Sequence, residues 1–361
     1  MSIVFLKSSP PRDQTNMKKT ALWLITTFTF FSDFAVATDF SKHVKQVDAA
    51  VVTIYTREHQ EVQSGRSITI NRSEGLGSGV VFSTDGKILT AAHVVHVADN
   101  IQVQLSTGEI IAADVLSSIT ASDIAVIKLK YTPENLVHVP LGDSDKLSVG
   151  EELFAIGAPR GLIHTFTAGH FSNRRIHEAS EFLPAMEFLQ TDTPLNPGNS
   201  GGPLFSSDGE VIGIVSHMRS ISGGNEGLGF AASINMIKNL LLNSPPIWGG
   251  LDVIPLNEAL SKILNIPFTQ GLLVQRVAYN SPGHTAGIKG GTMPVSIGKH
   301  QLLLGGDIIV GLNGKKITNT QKILEDIRAI IRDNPDQGMI DVTLYRQGKE
   351  RVVKVPKPKP F

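Results

Sequence analysis

From about residue 48 to 235 the chain alternates between short apolar runs and turns. A-A-V-V-T-I-Y-T (49–56), G-S-G-V-V-F-S (77–83), I-Q-V-Q-L (101–105), D-I-A-V-I-K-L (123–129) and E-V-I-G-I-V-S (210–216) are rich in β-branched residues and short enough to be strands. D-G at 85–86 and at 208–209 marks hairpins. The pattern predicts a mainly β sandwich or barrel. A short helix is expected near 232–242, and N-S-P-P at 243–246 reads as a linker. Residues 247–356 form a second unit with the order strand, helix, strand, strand, helix, strand. Its clearest helix starts near Thr320 and carries Ile323, Leu324, Ile327, Ile330 and Ile331 on one face. The end, K-V-P-K-P-K-P-F, reads as frayed, with 357–361 as a tail, and there is no internal repeat.

Composition narrows the chemistry. The length of 361 residues suits about two domains, and 41% hydrophobic residues can build a sizeable core. Lys+Arg and Asp+Glu are equal at 33 each, which offers no electrostatic case for nucleic acid or for a membrane surface. Cysteine is absent, which excludes a disulfide framework, a thiolate zinc site and a cysteine nucleophile. At the N-terminus, Met17-Lys18-Lys19 precedes the apolar run 20–31, and S-D-F-A-V-A ends at Ala37. A basic start, a short apolar run and an A-x-A site describe a secretory signal peptide over 1–37, with translation starting at Met17. Cleavage would leave the mature protein in the periplasm; an uncleaved anchor is the alternative.

One serine stands in an unusual setting. D-T-P-L-N-P-G-N-S-G-G-P-L (192–204) surrounds Ser200 with glycine and proline. Serine needs a base to become a nucleophile, commonly a histidine held by a carboxylate. His93 lies in I-L-T-A-A-H-V-V, where a β-run meets small residues, and Asp123 opens the strand of T-A-S-D-I-A-V-I-K-L. G-N-S-G-G also satisfies G-x-S-x-G, the nucleophile elbow of α/β-hydrolases. That elbow needs a helix after the serine and its acid and histidine downstream. Here a strand, a D-G turn and another strand follow Ser200, and the order is His, Asp, Ser. Gly198 lets the loop turn so that its N–H and that of Ser200 converge on a developing oxyanion. A plain Gly-rich surface turn is the bland alternative. His96 is expected to face elsewhere than His93, and His170, His217 and His284 show no metal-ligand spacing, so no metal or organic cofactor is implied.

G-S-G-V-V-F-S-T-D-G-K-I-L-T-A-A-H-V-V, S-D-I-A-V-I-K-L and T-D-T-P-L-N-P-G-N-S-G-G-P-L together resemble the HtrA/Deg serine proteases. The resemblance implies a trypsin-like double β-barrel over 38–243 and an α+β PDZ domain over 247–356. It implies ATP-independent proteolysis of unfolded or misfolded proteins, chaperone side activity, and assembly as homotrimers or multiples of trimers. His93 would be the base, Asp123 the orienting acid and Ser200 the nucleophile. Gly198 and Ser200, with Asn199 assisting, would form the oxyanion hole. The wall of the substrate pocket would be Pro194, Leu195, Ser216, His217 and Met218; none is acidic, so cleavage after Val, Ala, Leu or Ile is expected rather than after Lys or Arg.

The second unit carries I-W-G-G-L-D-V (247–253), S-P-G-H-T-A-G-I (281–288) and L-G-G-D-I-I-V-G-L-N-G (304–314), which resemble PDZ motifs. A PDZ groove takes an extended C-terminal peptide by strand addition. Loop N–H groups near Trp248, Gly249, Gly250 and Leu251 would hold the carboxylate. Ile323 and Ile327 would line the side-chain pocket or belong to the core. The chain departs from the family in an extra stretch, T-M-P-V-S-I-G-K-H-Q-L-L (292–303), in a single PDZ unit, and in a modest first-barrel loop at 57–73. R-R-I-H-E-A-S-E-F-L-P-A-M-E-F (174–188) sits where the family has its sensor loop, with Arg174 or Arg175 as transmitters or as solvated charge. G-G-N-E-G-L-G-F (223–230) reads as a mobile segment.

Overall fold

Two closed six-stranded antiparallel barrels follow one another in the computed structural model, which describes residues 39–65, 67–178, 185–298, 300–333 and 338–358. The expected signal peptide and Met17 lie outside the described residues. The first barrel is built from β1 (Val51–Ser64), β2 (Ser67–Val81), β3 (Lys87–Thr90), β4 (Asn100–Gln104), β5 (Ile110–Ile119) and β6 (Ile124–Leu129), in the order β1-β2-β3-β6-β5-β4. The second uses β7 (Glu152–Gly157), β8 (Thr165–His177), β9 (Met186–Thr191), β10 (Pro203–Ser206), β11 (Val211–Met218) and β12 (Gly229–Ser233), in the order β10-β11-β12-β9-β8-β7. Closure leaves no free edge in either sheet. Ile54, Ile88, Leu89, Ile124 and Ile127 of the first barrel and Leu153, Phe154, Ile156, Leu189 and Phe205 of the second are fully buried, with Phe154, Ile156 and Phe205 joining the first barrel's residues in one core cluster. Phe154 stacks on Phe205 at 4.9 Å between centroids.

The expected loop at 57–73 is instead a continuation of β1 and β2. Their pairing runs on to Ser64 and Ser67, well beyond the barrel wall. This ribbon has no buried face, so its sequence lacks the alternation that marks a strand. The expected helix at 232–242 is shorter: β12 keeps 232–233, a single turn covers Ile234–Ile237, and a wider turn takes Lys238–Leu242.

The C-terminal part forms a main sheet and a separate two-stranded one, β15–β16. It comprises β13 (Leu251–Pro255), β14 (Leu272–Val277), β15 (Met293–Ile297), β16 (His300–Leu304), β17 (Ile308–Leu312), β18 (Lys315–Lys316), β19 (Met339–Arg346) and β20 (Lys349–Pro356). The main order is β13-β14-β17-β19-β20, with β18 on β17, so β13 and β20 are its edges. The extra stretch at 292–303 is the β15–β16 hairpin, and the Gln63 N–H donates to the Thr292 carbonyl at 2.8 Å. Part of the expected frayed end, 354–356, is paired in β20 with β19. The helix Ile323–Asp333 lays its isoleucine face on this sheet. Arg346 clamps the buried Asp307, Nε to Oδ1 at 2.5 Å and Nη2 to Oδ2 at 2.6 Å, a bidentate pair that ties β19 to the start of β17.

Candidate functional site

A cleft of about 640 Å³ opens where residues of both barrels meet. From the first barrel come His93, Thr120, Ala121 and Asp123; from the second come Leu195, Asn196, Pro197, Ser200 and Val215 to Met218, together with His177, Met186 and Phe188.

His93 is presented by the chain just after β3. Ala91 and Ala92 are fully buried, so only small side chains fit there. Val94 and Val95 anchor the short helical turn Ala92–Val95 in the core, which turns His93 outward with half of its side chain exposed. Asp123 stands one residue before β6 rather than inside it, at φ +54. That left-handed conformation is one that Asp tolerates, and it closes a turn in which the Asp123 N–H donates to the Thr120 carbonyl at 3.2 Å.

The carboxylate of Asp123 clasps His93 twice. Its Oδ1 accepts the His93 backbone N–H at 3.0 Å, and both oxygens lie 2.9 Å from Nδ1. Oδ2 also accepts from Ser216 Oγ at 2.6 Å. An ionised carboxylate only accepts, so Nδ1 carries the proton and Nε2 keeps its lone pair for the cleft. The Asp123 hydrogen bond holds the His93 imidazole above its ordinary pKa, against the opposing effect of burial.

Ser200 sits on a loop fixed by backbone bonds. The Asn199 N–H donates to Asn196 O at 3.0 Å, the Gly202 N–H to Asn199 O at 2.9 Å, and the Gly201 N–H to Val215 O at 2.7 Å. Ser78, fully buried in the G-S-G run of β2, ties this loop to the first barrel. Its N–H donates to Ser200 O at 2.8 Å, and its Oγ donates to Gly198 O at 2.8 Å while accepting from Ala158 N–H at 3.0 Å. Two glycines are sterically required. A Cβ on Gly198 (φ +105) would lie 2.2 Å from Ala158 O, and one on Gly201 (φ +82) 2.1 Å from Thr90 Oγ1. The N–H groups of Gly198 and Ser200 donate to no acceptor among the described residues. Ser200 Oγ has no hydrogen-bond partner among the described residues, though it shares the cleft with His93.

His93, Asp123 and Ser200 are thus brought together on one cleft, which Leu195, Ser216, His217 and Met218 also line. Pro194 does not line it. Asn199 also falls outside it: its N–H is engaged by Asn196, its side chain is buried, and its Oδ1 faces Gly157 without a described partner. His177, Met186, Phe188, Asn196 and Pro197 were not legible as cleft residues. The quoted G-S-G motif was the one trace of Ser78. Arg174 and Arg175 lie in β8, Arg174 bonded to Glu187 and Ser144 O, each at 2.6 Å, and Arg175 to Gln190 at 2.8 Å; residues 179–184 lie outside the described part. The segment before β12 is clasped by Glu226, which accepts from the Ser222 and Ile221 N–H groups. Among the described residues no group of His, Asp or Glu is arranged to hold a metal ion.

A second, apolar groove of about 520 Å³ lies between β13 and the helix Ile323–Asp333. Trp248, Gly249, Leu251, Ile323 and Ile327 all line it, and the two isoleucines also pack on the sheet core. Gly250 (φ +70) lies behind, with no room for a Cβ against Ser281. His96 faces this groove, its Nε2–H donating to Leu251 O at 2.8 Å. The Trp248 Nε1–H donates to His96 O at 3.0 Å.

The double barrel and the His–Asp–Ser cleft define the trypsin-like serine-protease class, and residues 77–214 match the trypsin-like peptidase domain. Two curated relatives are similar over most of the chain. A probable periplasmic DegP-like serine endoprotease of Marinomonas sp. is 34% identical over 287 residues, 78% of this chain and 56% of the relative. A probable periplasmic do/HhoA-like serine protease of Haemophilus influenzae is 37% identical over 298 residues, 81% of this chain and 60% of the relative. The chain therefore spans less than two thirds of their length. Among solved structures, the HtrA-type protease AlgW with a tripeptide is 27% identical at TM-score 0.51, and a variant of it with a decapeptide 26% at 0.54; each covers 89% of this chain and 98% of its own. Within the class, the chain is HtrA/DegP-like.

With His93 as the base, which must be neutral to take a proton, the acid limb of a pH–rate profile would have its midpoint above the ordinary imidazole value of about 6.5. A limb below that value would mean that Asp123 does not hold His93 in the working enzyme.

Proposed function

We propose that this chain is an ATP-independent serine endopeptidase that cleaves unfolded or damaged proteins of the cell envelope. The observation that carries the reading is the carboxylate of Asp123 clasping Nδ1 and the backbone N–H of His93, on the same cleft as Ser200. His93 would take the Ser200 proton through Nε2 and return it to the leaving amine. The unengaged N–H groups of Gly198 and Ser200 would receive the oxyanion. We assign 38–243 to the protease domain and 247–356 to a PDZ domain whose groove, between the edge strand β13 and the helix Ile323–Asp333, receives C-terminal peptides of substrates or activators. Chaperone side activity, trimeric assembly and export by the N-terminal signal complete the reading. The periplasmic names of the relatives support export, and among the described residues no helix is long and apolar enough to cross a membrane.

The test is digestion of an unfolded model protein by the full chain beside Ser200→Ala, with product mapping. Cleavage by the parent alone is expected, after Val, Ala, Leu or Ile, because Leu195, Val215, Met218, Met186 and Phe188 give the cleft apolar walls. Equal cleavage by both proteins would remove Ser200 from the chemistry, and a map dominated by Lys and Arg would overturn the pocket assignment.

A further inference from the structure

Among the described residues, His217 is a second titratable side chain that connects to Asp123, here through the Ser216 hydroxyl. The cause is a bulge. In the pairing of β11 with β12, Val215 opposes Ala231 and His217 opposes Phe230, so Ser216 is the extra residue. A bulge re-aims side chains that alternation would send to opposite faces. Here Ser216 and His217 both reach the cleft.

The bonds have one consistent direction. Ser216 Oγ lies 2.6 Å from Asp123 Oδ2 and 3.0 Å from His217 Nδ1. The serine has a single hydrogen, and the carboxylate can only accept it. Ser216 must therefore accept from His217, whose Nδ1 carries the proton. The result is a chain of donors, His217 Nδ1–H to Ser216 Oγ–H to Asp123 Oδ2, ending on an oxygen that also lies 2.9 Å from His93 Nδ1. The imidazole of His217 is itself held in place, stacked on Phe230 at 4.9 Å and 12° and edge-on to Phe188 at 5.3 Å.

We propose that His217 is a positioning residue for the reaction: it fixes the Ser216 hydroxyl on Asp123 and so sets the carboxylate that orients His93. The proposal rests on the protease reading above. Burial, foremost, holds His217 below its ordinary pKa, so the neutral Nδ1–H form prevails near pH 7. The charged and titratable groups around it are Asp123, which opposes that shift, and Arg219, His177 and His93, which add to it. A cation at His217 would therefore also disfavour the cation at His93.

Two substitutions separate the donor from the ring. His217→Phe keeps the aromatic packing and removes the donor. His217→Asn restores an N–H donor at the Nδ1 position without a titratable group. His217→Phe should lower kcat about 2- to 10-fold, the worth of one net hydrogen bond, with little change in KM. It should also move the acid limb to higher pH, because Asp123 loses the Ser216 bond and becomes a stronger partner for protonated His93. His217→Asn should recover most of kcat and move the limb less. Parent-like kcat and limb in both variants, or a change confined to KM, would overturn the proposal. An NMR titration of the His93 imidazole, with each variant placed in Ser200→Ala, reads the same coupling without turnover. An upward shift there in an otherwise inactive protein would keep the positioning role and sink the protease reading. No shift there, with the parent active, would sink the positioning role alone.

Discussion

Asp123→Asn should lower kcat by about 10⁴-fold, the scale reached when a triad carboxylate is replaced by its amide, with the fold retained. Asp123 accepts from three donors, the His93 N–H, Nδ1–H and the Ser216 hydroxyl. An amide offers a single oxygen, and its NH2 group facing Nδ1 would force the proton onto Nε2, where a base needs its lone pair. The same change removes the interaction that raises the His93 pKa, so the residual activity should show an acid limb at lower pH than the parent. Measuring kcat and the pH profile of both proteins, with thermal unfolding as a check on folding, tests this. A loss below 10-fold would mean that the carboxylate is structural.

Gly198→Ala should lower kcat by about 10²–10³-fold, the usual effect of losing one oxyanion donor, with KM much less affected. The Gly198 backbone is left-handed, and a Cβ would sit 2.2 Å from Ala158 O and 3.0 Å from Arg160 N. These are backbone atoms, and the Arg160 N–H itself donates to Pro197 O at 2.8 Å in the same loop. Relief requires rotation of the peptide that carries the Gly198 N–H. The His93–Asp123 pair lies apart from this contact, so its NMR titration should match the parent's. A variant with parent kcat would show that the oxyanion is met elsewhere.

What the sequence revealed follows from how local each signal is. His93, Asp123 and Ser200 were legible because each is embedded in its own run: small residues before His93, a buried strand after Asp123, glycines around Ser200. The barrel strands were legible wherever one face is buried. The β1–β2 ribbon was not, since polar residues on both faces leave no period to read. Cleft residues such as His177 and Phe188 come from opposite sides of the β8–β9 connection, and only the closed order of the second barrel brings them beside β11. Asn199 illustrates the reverse failure. It neighbours Ser200 in sequence, yet the tight turn points its side chain inward. Ser216 was read as pocket wall; that its hydroxyl also reaches Asp123 depends on the bulge in β11, which no local pattern announces.

The central claim is that His93, oriented by Asp123, activates Ser200. It is tested most directly by treating the full chain with an organophosphorus fluoridate and locating the adduct by peptide mass spectrometry. The account predicts one phosphorylated residue, Ser200, in the parent, and labelling slowed by orders of magnitude in His93→Ala. Equal labelling in His93→Ala, or an adduct on a different serine, would contradict it.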